Sequence, residues 1–229
     1  LGSCHLPDFA AEHLDAGLLR PVLEIYEEPR HCLVLANDSV RVFRAEFPPG
    51  DTTLMHAHRV DSLYFFLSDV RTRGQRLAEI PCEDVCAAGE VRYGAHCGEP
   101  LVHRITVLGG AQCCLDVELL GFGRTAGQEP PAKRPRPGPE GLCQGLELIK
   151  ERPGARVYTL AVKTGGSWSG RVPFGKCLFI VRRGACAKGA FGERLLRPAD
   201  VFFREGPAEV VLEVSGRRDL AMWVVELLP

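Results

Sequence analysis

His56 and His58 stand two residues apart in PPGDTTLMHAHRVDSLYFFL, and His103 follows in GEPLVHRI. Side chains of a strand alternate between its two faces, so positions 56 and 58 project from the same face. A third histidine on a neighbouring strand can complete a compact set of three imidazole nitrogens. Neutral imidazole is the commonest protein ligand for zinc, iron, copper or nickel. Three such ligands that leave positions open on the ion describe a reaction centre rather than a closed structural site.

The elements that must hold these residues are strands. Short β-branched and aromatic runs recur at 32–36, 40–47, 63–67, 90–93, 102–107 and 113–120. Turn-forming clusters separate them: NDS, PPGD, SDV, AAGE and LGG. Many short strands without intervening helices predict an all-β sandwich or barrel. The exception is PDFAAEHLDAGLLR at 7–20, which has helical spacing, Asp8 as N-cap and Pro21 as a stop. Residues 122–141, rich in Pro and Gly, read as a linker between an N-terminal domain at 1–121 and a C-terminal one at 142–229.

The two halves repeat. At an offset of 115, VRVFRAEFPPGDT (40–52) lies over ARVYTLAVKTGGS (155–167), and LYFF (63–66) over LFIV (178–181). Further on, VHRITVLGG (102–110) lies over EVVLEVSGR (209–217). Two copies of one all-β unit are expected.

Bulk properties narrow the function classes. The chain has 229 residues, 45% hydrophobic and 25% charged, with a formal net charge of -1. That balance gives no case for nucleic acid or a membrane surface, and no run of about 18 apolar residues exists. The start, LGSCHLPDF, lacks the pattern of a signal peptide. An intracellular, cytoplasmic protein is the expectation, with Lys133, Arg134 and Arg136 as a short basic nuclear-import pattern. Several of the ten cysteines fall in apolar runs, HCLVLA, AQCCLDVELL and KCLFIV, and most of the ten read as reduced core residues. Cys82 and Cys86 (CEDVC) have no second pair at zinc-knuckle spacing.

The pattern Gly50, five residues, His56-Ala57-His58, an acidic residue and a YFFL strand resembles the first motif of the cupin superfamily. The stretch GEPLVH (98–103) resembles the second motif, whose Pro and Gly precede the third histidine. The resemblance covers nearly the whole chain as a bicupin. It implies two tandem double-stranded β-helix (jelly-roll) barrels, preceded by the short helix. It implies one divalent transition metal, Fe(II) first and Zn, Mn or Ni as alternatives, held by His56, His58 and His103. Asp61 matches the family's glutamate, two residues after the H-x-H instead of three or four. It is therefore either a fourth ligand or a carboxylate that orients a ligand histidine. The closing Gly of the first motif and the Asn of the second are absent, with Ser68, Asp69 and Val107 in their places.

In the second half the offset of 115 lays Arg171, Pro173 and Lys176 on His56, His58 and Asp61, and the later alignment, at an offset of 107, lays Val210 on His103. That barrel is expected to bind no metal and to serve as structure or as a lid. In the first barrel Tyr64 and Arg104 are candidates to orient a substrate, and His96 is an alternative ligand.

A metal-dependent enzyme is the leading reading: a non-haem Fe(II) dioxygenase type acting on a small organic molecule, with Asp61 and Tyr64 as catalytic candidates. Lewis-acid lyase or isomerase chemistry is the second, and a non-catalytic ligand-binding cupin the third. The expected partners are a small-molecule substrate and, in the assembly, a second copy as homodimer.

Overall fold

Wherever apolar and polar residues alternate, the chain forms a strand with one buried face. In VRVFRAEF, Val40, Val42, Phe43, Ala45 and Phe47 are buried, while Arg44 and Glu46 face solvent. The structure is a computed structural model that describes residues 22–120, 145–172 and 175–228. The expected helix at 7–20, the linker and its basic run lie outside the described residues. Among the described residues, no helix is long and apolar enough to cross a membrane.

Among the described residues, ten strands build the first unit: β1 (Leu23–Glu24), β2 (His31–Ala36), β3 (Val40–Phe47), β4 (His56–His58), β5 (Ser62–Phe66), β6 (Val70–Arg76), β7 (Cys82–Cys86), β8 (Val91–Gly94), β9 (Leu101–Gly109) and β10 (Gln112–Leu119). Nine build the second: β11 (Leu146–Arg152), β12 (Ala155–Val162), β13 (Ser167–Val172), β14 (Lys176–Arg183), β15 (Cys186–Gly189), β16 (Arg194–Leu195), β17 (Val201–Glu205), β18 (Ala208–Ser215) and β19 (Leu220–Leu227). The first unit has sheets ordered β1-β4-β9-β6-β7 and β2-β3-β10-β5-β8. The second has β13-β18-β15-β16 and β11-β12-β19-β14-β17. Adding nine to each label from β2 onward converts the first pair of sheets into the second. The repeat seen in the sequence is a repeat of topology: two jelly-roll barrels in tandem.

The barrels meet sheet against sheet. Val42, Leu63, Phe65, Leu115 and Val117 from the first pack against Val157, Leu178, Ile180, Trp223 and Val225 from the second, in one buried cluster. The Phe65 and Trp223 rings lie 5.2 Å apart, and the Lys176 ammonium donates to the Ser39 hydroxyl at 2.8 Å. Lys176 is the residue laid on Asp61 by the sequence offset, and it serves this contact. An apolar sheet face of this kind stabilises by burial, about 25 cal/mol for each Å² removed from water.

The two interiors differ in chemistry. Leu220, Met222 and Val224, alternate residues of β19, fill the second barrel with Tyr158 and Phe179. The register of β10 with β3 and of β19 with β12 places Gln112, Cys114 and Asp116 at those same three positions in the first barrel. The second barrel is filled by an apolar core, and the first holds a cavity in which polar groups stand among apolar walls.

Candidate metal centre

The site starts from one extra residue. Thr52 bridges Thr106, and the Thr53 amide bonds the Ile105 carbonyl, yet His56 pairs with His103. Three steps along one strand thus face two along the other, which is a β-bulge. In the second barrel Ser167 faces Glu213 and Gly170 faces Val210, with no such insertion. The constant offset is therefore off by one here. The register matches His56 with Gly170 and His58 with Val172, not with Arg171 and Pro173. Val210 still stands in the place of His103, facing Gly170. Gly170, Val172 and Val210 carry no ligand atom in their side chains, so these three positions make no imidazole set.

The bulge frees backbone groups that the site uses. The Leu54 amide donates to Glu28 Oε1 at 3.1 Å, and the Leu54 carbonyl accepts from His56 Nδ1 at 2.8 Å. With its Nδ1 proton so placed, His56 turns Nε2 inward. His56 Nε2 lies 3.1 Å from His58 Nε2, which lies 3.0 Å from His103 Nε2. Burial pushes the imidazolium of His56 down to about 4, helped by the neighbouring His31 and His58 rings. Burial and the same crowd of rings hold His103 well below its ordinary range. Both rings are neutral at physiological pH, as ligands must be.

The nitrogen spacing tests the fit of an ion. Two nitrogens each about 2.1 Å from one metal are about 3.0 Å apart at a right angle and about 3.4 Å apart at a tetrahedral angle. The observed 3.1 and 3.0 Å match nitrogens at right angles about one ion for the His56–His58 and His58–His103 pairs. The residues present thus suit a divalent transition metal.

Around the rings lies a cavity of about 420 Å³, lined by the three histidines and by His31, Phe47, Phe66, Tyr64 and Asp116 among others. Every lining residue belongs to the first barrel. The second barrel packs on the opposite side of the β2-β3-β10-β5-β8 sheet, so it is a support and not a lid. Tyr64 hydroxyl touches His58 Nδ1 at 3.4 Å and His96 Nε2 at 2.9 Å. Asp116 Oδ2 is 3.1 Å from His58 Nδ1, though off the line of a good hydrogen bond, and both Asp116 oxygens are buried without another partner. Burial, and then the Asp116 charge, raise the Tyr64 hydroxyl well above its ordinary range, so it keeps its proton.

Asp61 is placed elsewhere. Tyr93 hydroxyl donates to its Oδ2 at 2.7 Å and the Cys97 amide to its Oδ1 at 2.9 Å. Burial would raise this carboxyl, but those two donors outweigh it and hold it low. Asp61 is not among the residues lining the cavity, so the expected ligand is a clamp on the 93–97 turn. The turn in turn carries His96. Arg104 is also outside the lining, with its Nε donating to Gln75 Oε1 at 2.8 Å. His96 meets Tyr64 instead of the three converging nitrogens.

A Cβ placed on Gly94 would lie 2.0 Å from His96 Nε2. Gly94→Ala is therefore expected to push His96 off Tyr64 at a cost of about 1–3 kcal/mol. Metal stoichiometry should stay at the wild-type value, because no ligand moves; thermal unfolding and elemental analysis of the variant check both.

Four residues of the site escaped the sequence motifs: His31, Glu28, Asp116 and Gln112. Glu28, fully buried, accepts from His31 Nδ1 at 2.8 Å and from the Arg30 amide at 2.9 Å. Burial alone would raise its carboxyl. The His31, Leu54 and Arg30 donors win and hold it at about 2. The signal for His31 was in the repeat. It faces Ala45 where Leu146 faces Leu160, so a histidine stands where the other half has a leucine.

The cysteines are mixed. All eight described ones are free; Cys86, Cys114 and Cys177 are buried, but Cys32, Cys82 and Cys186 are exposed on strands whose outer faces meet solvent. Cys86 and Cys114 line the cavity. Burial pushes Cys86 up to about 11 and Cys114 well above its ordinary range, so both are thiols at neutral pH.

No family model and no curated relative matches the chain. Solved structures do. The YhhW protein of Escherichia coli aligns with a TM-score of 0.59 at 13% identity, covering 87% of this chain and 89% of that one. AerE from Microcystis aeruginosa aligns with a TM-score of 0.55 at 10% identity, covering 88% and 99%. A mutant of salicylate 1,2-dioxygenase from Pseudoaminobacter salicylatoxidans aligns with a TM-score of 0.54 at 11% identity, covering 82% and 70%. At these identities the likeness is one of fold.

Proposed function

Since the chain has the cupin fold, built twice, we propose that its first barrel is a metal-dependent enzyme of the dioxygenase type, acting on a small organic molecule. The observation that carries this reading is the run of three Nε2 atoms, 3.1 and 3.0 Å apart in turn, beside a cavity of about 420 Å³. Fe(II) is the first choice of metal, with Zn, Mn or Ni as alternatives; bound there, the ion would supply open positions for substrate and oxygen. Neutral ligands leave the ion its full positive charge, which favours a substrate with an anionic head such as a carboxylate or thiolate.

The chain's own residues then do the rest. Phe47, Phe66 and Ala45 give the cavity apolar walls that exclude water and strengthen polar contacts inside. Asp116, with Oδ2 3.1 Å from His58 Nδ1, places a carboxylate beside the central ring. Tyr64 holds a proton between His58 and His96, within reach of a molecule in the cavity. Asp61 acts through the turn it clamps and not on the substrate.

The Tyr64–His96 contact also favours a second reading, lyase or isomerase chemistry in which this pair moves a proton. Elemental analysis followed by oxygen uptake with a panel of small thiols and carboxylic acids decides. Iron with oxygen uptake supports the first reading. Metal with turnover and no oxygen uptake supports the second. Metal-free protein that gains no thermal stability from added Fe(II), Zn, Mn or Ni overturns both and leaves a ligand-binding barrel.

Tyr64→Phe is a clean probe, because the second barrel carries Phe179 at the matching place against Val224. The variant is expected to fold and bind metal as wild type while turnover falls about 10²–10⁴-fold. Unchanged turnover would remove Tyr64 from the chemistry.

A further inference from the structure

We propose that His31 is a fourth imidazole ligand of this centre and that Glu28 is the positioning residue that aims two of the four rings. The proposal rests on the metal reading above and deepens it. His31 lines the cavity, and the ligand nitrogens of His31, His56 and His58 all lie within 4.8 Å of one another. Its ring centroid is 4.7 Å from that of His56. Two nitrogens on opposite sides of one ion are about 4.2 Å apart, close to the 4.8 Å bound on this set, so a small turn of the rings brings His31 to an ion held by His56 and His58.

The hydrogen bonds say which atom of His31 is offered. Nδ1 donates to Glu28 Oε2 at 2.8 Å, which leaves the Nε2 lone pair for a metal. Glu28 is buried, and its other oxygen takes the Leu54 amide at 3.1 Å. The same residue, Leu54, receives the His56 Nδ1 proton on its carbonyl at 2.8 Å. One carboxylate therefore orients His31 directly and His56 through a single backbone residue, the arrangement that keeps ligand imidazoles in one tautomer and one direction. The bulge at 53–56 is what presents that residue to both.

Asp61, the carboxylate that the motif suggests as fourth ligand, is consumed by Tyr93 and Cys97. An all-imidazole set has no ligand oxygen. It suits Zn, Cu, Fe or Ni over Mn, which prefers carboxylate and water.

Pulsed electron paramagnetic resonance on the Cu(II)-loaded full chain counts coordinated imidazoles, and competitive titration with Ni(II) gives affinity. Wild type should show four imidazoles, or one more than His31→Ala. His31→Ala and His31→Gln should each lose one imidazole and bind Ni(II) on the order of a hundredfold more weakly. Glu28→Gln should keep the imidazole count and weaken binding about 10–100-fold. Metal-free unfolding curves control for folding; if Glu28→Gln fails to fold, the two His31 variants decide. Three imidazoles in wild type, with count and affinity unchanged in both His31 variants, overturn the proposal and leave the three-histidine reading standing. Loss of metal in His58→Ala with no metal effect in the His31 variants overturns it equally. Wild type that binds neither Cu(II) nor Ni(II) sinks the metal reading itself.

Discussion

His58→Ala is expected to leave the protein without bound metal. His58 is the central ring, because its Nε2 touches those of both His56 and His103. A four-ligand site binds its ion with roughly 10–16 kcal/mol, so one ligand's share is about 2.5–4 kcal/mol, on the order of a hundred- to a thousandfold in affinity. The metal-free variant should lose little stability, because rings packed nitrogen to nitrogen gain nothing from one another without an ion. The difference appears under load. Wild type gains about 2.7 kcal/mol at metal concentrations a hundredfold above its dissociation constant, and His58→Ala should gain nothing. Thermal unfolding with and without added metal reads this directly. Metal retained by His58→Ala at wild-type affinity would show that the three nitrogens are not the ligands.

Glu28→Gln is expected to be the most destabilising single change near the site. Glu28 is 1% exposed and accepts hydrogen bonds from His31, Leu54 and Arg30. Its carboxyl is held at about 2 against an ordinary 4.5, a shift worth about 3 kcal/mol of folding free energy in the ionised state. The folded value is the lower one, so the unfolded chain takes up the proton first as pH falls. The contribution is whole above pH 4.5 and drains away between 4.5 and about 2. Wild type should therefore lose stability across that window, while Glu28→Gln should be flat there on this account. At neutral pH the variant should unfold about 6–12 °C lower, taking 2–4 °C per kcal/mol for a chain of this size. A variant with wild-type melting behaviour at pH 7 would mean the buried carboxylate contributes no net stability.

The strands were legible because each carries a period-2 pattern, and the duplication because both copies keep that pattern. His56 and His58 were legible because a strand puts alternate residues on one face, which needs no partner to be known. The partners of Asp61 were not legible for a physical reason: proximity in sequence says nothing about which donors claim a carboxylate, and Tyr93 and Cys97 come from another strand and its turn. The bulge was invisible because register is a property of two strands. His31, Tyr64 and Asp116 had a signal of another kind. Each is polar where the second copy has Leu146, Phe179 or Val224. The site is the set of places where two copies of one fold differ in polarity.

By itself, then, the sequence determined the class of fold, the duplication, and the pair of imidazoles that share a face, since all three depend on local periodicity. Only the tertiary structure decided what surrounds them. It brought His103 across from β9, inserted the residue that turns Leu54 toward Glu28 and His56, and gave Asp61 to the 93–97 turn. It also put the second barrel behind the sheet rather than over the cavity. Those outcomes rest on which hydrogen-bond donors reach which buried acceptors, and buried polar groups take the partners that folding brings within about 3 Å.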